Sequence, residues 1–444
     1  MHSIGDNTFV HDKAFIDQSL DYNILKMIPD SDSRISDRYT YREFRDSIFR
    51  MIEWFDECVQ RNVYTDFMDE RFIIIAIACM LSGKTLYTTI NDHDKDVIKV
   101  NQIVETGPYV LTIEQIDNRL RHKCVGFALL YTSGSTGTPK PVRLSWYNIM
   151  AAVLCFYSEP AINHDGLNSI LHCLPHSHIY GFLMELVFIL IGSRFYYTAP
   201  PNLYASYMQH KPDIMPIVPQ ILNMFYEKRL PLKLNLLISA GAPLREEVYR
   251  FYDKTCRQIL KGYGTTESSA CLALSLSNDD DGICTMANRL KIAADGELLV
   301  SGLTVSDEVN RDADGWYHTN DIVSIDNNRI RIIGRKNNII KLQQGEFINL
   351  DDLSNLYTQN GVETVVYASP LDRYPSAVVF VDEGIDRNTI ENIFTDIHIK
   401  NNRKGYERIK DITVKNISDI PMKNDIRPDY ALIRKMALDE RNNA

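Results

Sequence analysis

Residues 131–143 read Tyr131-Thr132-Ser133-Gly134-Ser135-Thr136-Gly137-Thr138-Pro139-Lys140-Pro141-Val142-Arg143. Five aliphatic hydroxyls and two glycines precede a lysine, directly after the apolar run Phe127-Ala128-Leu129-Leu130. This order predicts a buried strand opening into a loop of unblocked backbone N–H groups and hydroxyls, with Lys140 as a mobile positive charge. Such a loop suits a polyphosphate. It is not a Walker A loop, which needs Gly-Lys-Ser/Thr running straight into a helix. Here Lys140 stands between Pro139 and Pro141, and neither proline can donate an N–H. The helix is predicted to start later, with Ser145 as N-cap for Trp146 to about Tyr157. A plain Ser/Gly-rich surface loop would explain the glycines, but not the strand before them or the Pro-Lys-Pro after.

Outward from this run, apolar periodicity sets the organisation. Phe44, Ile48, Met51, Ile52 and Phe55 form one stripe of a helix predicted from Tyr39 to about Arg61, and Arg71 to Leu81 reads as another. Residues 83–89 read as a strand, and short apolar runs recur at 170–174, 214–218, 234–239 and 258–263. Helical windows such as Leu244 to Lys254 lie between them. Strands alternating with helices predict an α/β fold with mostly parallel sheets. The pattern changes near residue 335, where Ile330-Arg331-Ile332-Ile333-Gly334-Arg335 runs into a polar cluster, which suits a hinge. The remainder, with strands at 364–367, 377–381 and 411–414 and two helical stretches, is enough for a small α+β domain. The expected division is 1–334, a hinge at 335–338, and 339–444.

Composition narrows the function classes. The 444 residues are 45% hydrophobic and 24% charged, ordinary for a globular protein. A net charge of −10 argues against nucleic acid as the main partner. The eight cysteines are scattered without a Cys-x-x-Cys and without clustered histidines, so neither a zinc site nor a disulfide framework is expected. The start, Met1-His2-Ser3-Ile4-Gly5-Asp6, has early charge and no apolar core, so no signal peptide is expected. The greasiest stretch, Phe182 to Gly192, is too short to span a bilayer and contains Glu185. It is expected to be a buried helix or strand, and the protein to be cytoplasmic without a membrane span.

The 131–143 run resembles the phosphate loop of the adenylate-forming superfamily, which includes acyl-CoA synthetases, aryl-acid ligases, luciferases and nonribosomal adenylation domains. Ser135 stands where Thr is usual and Pro141 where Gly is usual. The resemblance spans about residues 39 to 435 in segment order. It implies a large N-terminal adenylate-forming domain and a small mobile C-terminal lid, with the chain shortened before residue 120 and between Ala270 and Glu297. It also implies ATP and Mg²⁺, with Thr132, Ser133, Gly134, Ser135, Thr136, Gly137 and Lys140 on the phosphates.

Further segments match in order. Lys261-Gly262-Tyr263-Gly264-Thr265-Thr266-Glu267 follows a short strand, and glycines beside an aromatic and a carboxylate suit a planar ligand and a hard cation. With Ile238-Ser239-Ala240-Gly241-Ala242-Pro243-Leu244 upstream, it resembles the superfamily's adenine site. The resemblance puts Tyr263 on adenine, Gly241 and Ala242 along the purine edge, Gly264 and Thr265 in the same turn, Thr266 on the α-phosphate and Glu267 on Mg²⁺. Asp321, in Gly315-Trp316-Tyr317-His318-Thr319-Asn320-Asp321, reads by itself as a turn residue. The run resembles a family motif whose Asp accepts from both ribose hydroxyls, with Arg335 as the second ribose contact. Asn320 replaces a glycine there and tolerates left-handed backbone.

Pro175-His176-Ser177-His178-Ile179-Tyr180-Gly181 resembles the acyl-pocket segment, which implies that His178 gates the carboxylate pocket. Gln343-Gln344-Gly345-Glu346-Phe347-Ile348 resembles the variant in long-chain fatty acyl-CoA synthetases, with Gly345 flanking the pantetheine tunnel. Asn338 stands where the hinge usually has Asp or Lys. Pro421-Met422-Lys423-Asn424-Asp425-Ile426-Arg427-Pro428-Asp429-Tyr430 is most similar to the acyl-carrier-protein synthetase variant. That register puts Arg427 at the catalytic lysine position, with Lys423 as the alternative; a guanidinium keeps the charge but offers a planar fork.

Together the resemblance implies an ATP-dependent acid–thiol ligase. It would activate a fatty or aryl acid as an acyl-adenylate and pass it to a phosphopantetheine thiol of an acyl carrier protein or CoA. The alternatives are a degenerate nucleotide-binding regulator or scaffold, an amino-acid-activating enzyme, and a luciferase-type oxidase.

Overall fold

The structure, a computed structural model, describes residues 8–10, 23–89, 97–105, 108–122, 125–132, 140–159, 162, 165–277, 282–285, 287–326, 329–358, 362–382, 385–423 and 427–442. A twelve-stranded sheet forms its centre. In one half, Gln258–Tyr263, Leu236–Ala240, Ile214–Ile217, Ser169–His172 and Arg194–Tyr197 lie side by side and parallel. Leu236, Leu237 and Ile238 are all buried, the unbroken apolar run of a strand covered on both faces. The other half is antiparallel, continuing through Ala273–Ser275, Gly282–Cys284, Arg329–Arg335, Tyr317–Asp326, Glu297–Gly302, Asn288–Ile292 and Thr8–Val10. The predicted α/β class holds, and this half adds to it. Within it Asn288–Ile292, Glu297–Gly302, Tyr317–Asp326 and Arg329–Arg335 pair in chain order, as antiparallel neighbours can without crossover helices.

A second sheet of five strands has Val97–Lys99, Asn62–Tyr64, Thr85–Tyr87 and Phe127–Thr132 parallel, with Lys140–Ser145 antiparallel at the edge. One hydrophobic core joins this sheet to four helices, Tyr41–Glu57, Glu70–Leu81, Trp146–Tyr157 and Ile179–Ile191. The predicted stripe of the first helix is the buried one, with Phe44, Ile48, Met51, Ile52 and Phe55 sealed. Thr40 and Glu43 close its N-terminus as a capping box. At its other end the Lys84 ammonium donates to the carbonyls of Cys58 and Gln60 at 2.9 and 2.8 Å, a cation where the helix dipole is negative. Residues 182–192 belong to a buried helix that stops at Gly192, whose φ of 85° is a left-handed cap.

Toward the C-terminus, Glu363–Tyr367, Ser376–Val381 and Asp411–Asn416 form a three-stranded sheet. Three helices accompany it, Leu350–Tyr357, Arg387–Lys400 and Tyr430–Asn442, where the sequence reading expected two. The last has a thin apolar face, with Ile433 and Ala437 buried, and its N-terminus is fixed by Asp429, whose side chain accepts from Leu432 N at 3.1 Å. The two cores here draw only on residues from Leu342 onward. Among the described residues no helix is long and apolar enough to cross a membrane.

Candidate active site

The parallel strands fix where loops converge. Ala240 pairs with Gly262, so the turns that follow, Gly241-Ala242 and Gly264 to Glu267, leave adjacent strands at one carboxyl edge. Strand Ser169–His172 runs the same way and delivers residues 173–178 to that edge. In open α/β sheets this edge is where ligands bind. Gly241 has φ 89° with no atom within 4 Å of a Cβ placed there, so it is kept by its backbone conformation. Gly264 is kept by crowding: a Cβ there would lie 2.3 Å from the Ala270 carbonyl carbon. Thr265 caps the short 3₁₀ turn Thr266–Ser268, its N–H donating to Ser268 Oγ at 2.9 Å.

Asp321 closes the site from the antiparallel half. It pairs in register with Arg335, and Arg335 Nε lies 3.0 Å from Asp321 Oδ1. The Tyr263 hydroxyl donates to Asp321 Oδ2 at 2.7 Å. Asp321 is 4% exposed, and burial holds its carboxyl above the usual range although Arg335 and Tyr263 pull the other way. The turn before it is made by Asn320 at φ 58°, the left-handed backbone predicted for this position. Glu297, buried and missed in the sequence, accepts from Asn320 N at 2.9 Å and holds that turn. Glu297 and Asp295 also receive Lys336, at 2.9 and 2.6 Å. Two consecutive cations, Arg335 and Lys336, are thus fastened to the large body before the 3₁₀ turn Lys336–Asn338 ends, and Asn338 Nδ2 donates to Asp351 at 2.7 Å.

The two ends of the 131–143 run lie in paired antiparallel strands. Phe127–Thr132 returns as Lys140–Ser145 with Thr132 opposite Lys140, and the predicted helix Trp146–Tyr157 follows under a Ser145 capping box. Lys140 is therefore an exposed first residue of a strand. The reading expected loop there; Val142 and Leu144, alternating into the core, were the strand signal it passed over. Ser133, Gly134, Ser135, Thr136 and Gly137 lie outside the described residues. Ser306, also missed, stitches strand Lys140–Ser145 to the turn beside it: its hydroxyl donates to the Arg143 carbonyl at 2.7 Å and its N–H to the Glu267 carbonyl at 2.8 Å. Tyr317 is a further missed neighbour: burial and the negative charge of Glu267 raise its phenol pKa, while Thr265 acts the other way.

His178 is exposed at the N-terminus of helix Ile179–Ile191 and makes no side-chain cap there. Gly345 lies in the tight turn between Ile339–Lys341 and Phe347–Asn349, at φ 93° with nothing within 4 Å of a Cβ. Lys423 and Arg427 face each other directly across the two-stranded hairpin Met422–Lys423 and Arg427–Pro428. Asp429 and Tyr430 hold local structure: Asp429 caps the last helix, and the Tyr430 hydroxyl donates to Glu363.

A second polar cluster was not foreseen. His172, His176 and Glu185 are all buried with ligand-capable atoms within 4.8 Å of one another. Cys58, Cys79, Cys155, Cys173, Cys256 and Cys271 are free thiols.

A group of turns at the carboxyl edge of a parallel sheet, with a buried aspartate held between a tyrosine and an arginine, is the ligand-binding layout of an open α/β fold. The chain belongs to the AMP-binding enzyme family, whose profile matches residues 70–304. It is similar to long chain acyl-CoA synthetase 1 of Arabidopsis thaliana, 27% identical over 319 residues, covering 53% of this chain and 48% of that protein. It is also similar to long-chain-fatty-acid–CoA ligase 1 of Homo sapiens, 23% identical over 332 residues, with 57% and 48% covered. The chain thus spans about half the length of the curated relatives it matches. Its fold is that of o-succinylbenzoate CoA synthetase from Bacillus subtilis in complex with an acyl-adenylate intermediate, with TM-score 0.69 at 16% identity and 93% and 97% of the two chains covered. ATP-bound MatB from Rhodopseudomonas palustris is similar at TM-score 0.67 and 16% identity, with 94% and 99% covered.

Proposed function

We propose that this protein is an AMP-forming acid–thiol ligase. The observation that carries this is the Tyr263–Asp321–Arg335 constellation set against the Gly241-Ala242 and Thr265-to-Glu267 turns, within a chain of the AMP-binding family. ATP is the co-substrate in this reading. Asp321 accepts from the ribose hydroxyls, Arg335 flanks it, Tyr263 and the Gly241 turn receive the base, and Lys140 with the 133–137 loop meets the phosphates. Glu267 fits Mg²⁺: it is half-buried, and among the described residues its carboxylate has no ion-pair partner, which leaves hard oxygens for a hard cation. The cation supplies charge neutralisation on the phosphates.

In the first half-reaction a substrate carboxylate oxygen bonds to the α-phosphorus as the bond to the pyrophosphate oxygen breaks. In the second, a pantetheine thiol gives up its proton and its sulfur attacks the acyl carbon, forming the thioester and releasing AMP. The chain's own contribution is alignment and fixed positive charge where negative charge spreads in the transition state. Arg427 or Lys423 brings the lid's cation to the first step, and Gly345 leaves room for pantetheine in the second. The C-terminal cores, which draw on residues from Ile340 onward, support the reading of a hinge at 335–338 and a lid that changes orientation between the two steps.

The named relatives support a fatty acid and CoA. The carrier-protein resemblance rests on Pro428-Asp429-Tyr430, two of whose residues have structural tasks in the lid, so CoA is the better supported acceptor. A cytoplasmic location accompanies this reading. The test is acid-dependent ATP–pyrophosphate exchange across a panel of fatty, aryl and amino acids, followed by thioester formation with CoA and with a holo carrier protein. Exchange with fatty acids is expected; tight ATP binding without exchange for any acid would leave a regulatory binding protein. Arg427→Ala should lower exchange by roughly a hundredfold or more while sparing transfer from supplied acyl-adenylate. The opposite ranking, a large loss from Lys423→Ala and a small one from Arg427→Ala, would assign the role to Lys423.

A further inference from the structure

The buried trio His172, His176 and Glu185 draws on three elements: the end of a strand, the segment after it, and the middle of helix Ile179–Ile191. Their exposures are 2%, 3% and 0%. His176 Nε2 and Glu185 Oε2 are 2.7 Å apart, yet the approach is too far off line for a hydrogen bond, and both atoms are buried without a hydrogen-bond partner. Unsatisfied buried polar atoms are costly and rare, and two that point at one spot call for a missing partner.

The surroundings resemble the outer layer of a metal centre. His176 Nδ1 is 3.2 Å from the Phe67 carbonyl, which fixes Nδ1 as the protonated nitrogen and turns the Nε2 lone pair inward. His172 Nε2 has the same relation to the Gly181 carbonyl at 3.2 Å. The Tyr197 hydroxyl donates to Glu185 Oε1 at 2.5 Å, leaving Oε2 as the free oxygen. His176 and Glu185 thus each have one atom held by the protein and one without a hydrogen-bond partner, and His172 offers the third ligand-capable atom. A proton alone satisfies the His176–Glu185 pair poorly, because the line between the atoms is wrong. A cation has no such directional need.

We propose that His172, His176 and Glu185 form a structural zinc site. Two imidazoles and a carboxylate are a donor set that zinc accepts. Zinc–ligand bonds of about 2.0–2.1 Å set tetrahedral donors about 3.3 Å apart. Binding therefore parts the 2.7 Å pair slightly and draws the third group in from within 4.8 Å. Any proton held on His176 Nε2 or Glu185 Oε2 is released as the metal enters. Water or the Tyr197 oxygen completes the coordination. The ion would fasten residues 173–178, which carry His178, to the helix behind them. The sequence carried the pattern as His-x₃-His followed by a glutamate nine residues on, outside the cysteine-based spacings by which zinc sites are read.

The test is metal analysis of the purified full chain, after expression in zinc-supplemented medium and after unfolding and refolding with Zn²⁺ alone. About one zinc per chain is expected, falling to near zero in both His176→Gln and Glu185→Gln, with a lower melting temperature when wild type is refolded with chelator. Because either variant may misfold, the wild type is also refolded with Co²⁺, where intense visible d–d bands without a thiolate charge-transfer band are expected. No bound zinc and no Co²⁺ spectrum would overturn the site and leave a dry His–Glu pair. Zinc retained in both folded variants, or a thiolate band, would place the metal elsewhere and overturn it equally.

Discussion

Asp321 and Glu185 are both carboxylates sunk in the protein, each with two partners, and they differ in how those partners meet them. Asp321 has a tyrosine hydroxyl at 2.7 Å and a guanidinium at 3.0 Å whose own side chain is 55% exposed. Water or a ligand hydroxyl can exchange with Arg335 without opening the core. Glu185 has no exposed surface, and its histidine partner is itself 3% exposed. A buried carboxylate with one exposed partner suits the recognition role proposed for Asp321, and the stability such a group gives up is the ordinary trade of a binding site. A sealed one ties strand, loop and helix together and tolerates no partial loss of partners.

The comparison can be broken most directly at Glu185. In metal-free protein, Glu185→Ala removes one member of a sealed polar cluster, and a loss of about 3 kcal/mol or more is expected by urea unfolding. A loss below about 1 kcal/mol would show that the cluster is hydrated. Asp321→Ala should hardly move the stability of the free protein but weaken ATP binding by about 2 kcal/mol, roughly thirtyfold, by calorimetry. Collapse of the unliganded variant would make Asp321 a turn residue, like Glu297.

The smallest effect is the most discriminating. Burial raises the Asp321 pKa, so the folded protein binds this proton more tightly than the unfolded chain. The wild type therefore gains stability relative to Asp321→Asn as pH falls through the raised value, and loses it as pH rises. Asp321→Asn should melt higher than wild type at neutral pH, with the difference closing in acid. An Asn variant that melts lower at neutral pH would mean that the Arg335 pair outweighs desolvation.

Which parts could be read in advance follows from where the information lies. The helix at Tyr41–Glu57 and the strands at 214–217 and 236–240 were legible because one element's periodicity or apolar run decides each. The Asn320 turn was legible because few side chains accept φ 58°. Strand Lys140–Ser145 was not, since two prolines masked an alternation only six residues long. Ser306 and Glu297 were invisible for a different reason: a serine or glutamate gains its task from carbonyls and amides that the fold brings near. The histidine cluster joins three elements, and its His-x₃-His spacing with a glutamate nine residues on does not by itself announce such a meeting.

The clamp at Arg335 has a mechanical side. Strands Tyr317–Asp326 and Arg329–Arg335 form a hairpin whose open end is the Asp321–Arg335 pair, and the chain beyond hangs from that end. A pull on the C-terminal segment is a peeling load, in which ladder bonds yield one after another from the open end. The first lateral bonds to carry it are those of Lys336 to Asp295 and Glu297, and Arg335 to Asp321 comes directly after them. Tension on the C-terminal segment thus reaches the proposed ribose carboxylate at the start of hairpin opening, and in an optical trap the force at which the hairpin starts to open should rise when ATP is bound. An unchanged opening force would mean that the load passes to the body by another route.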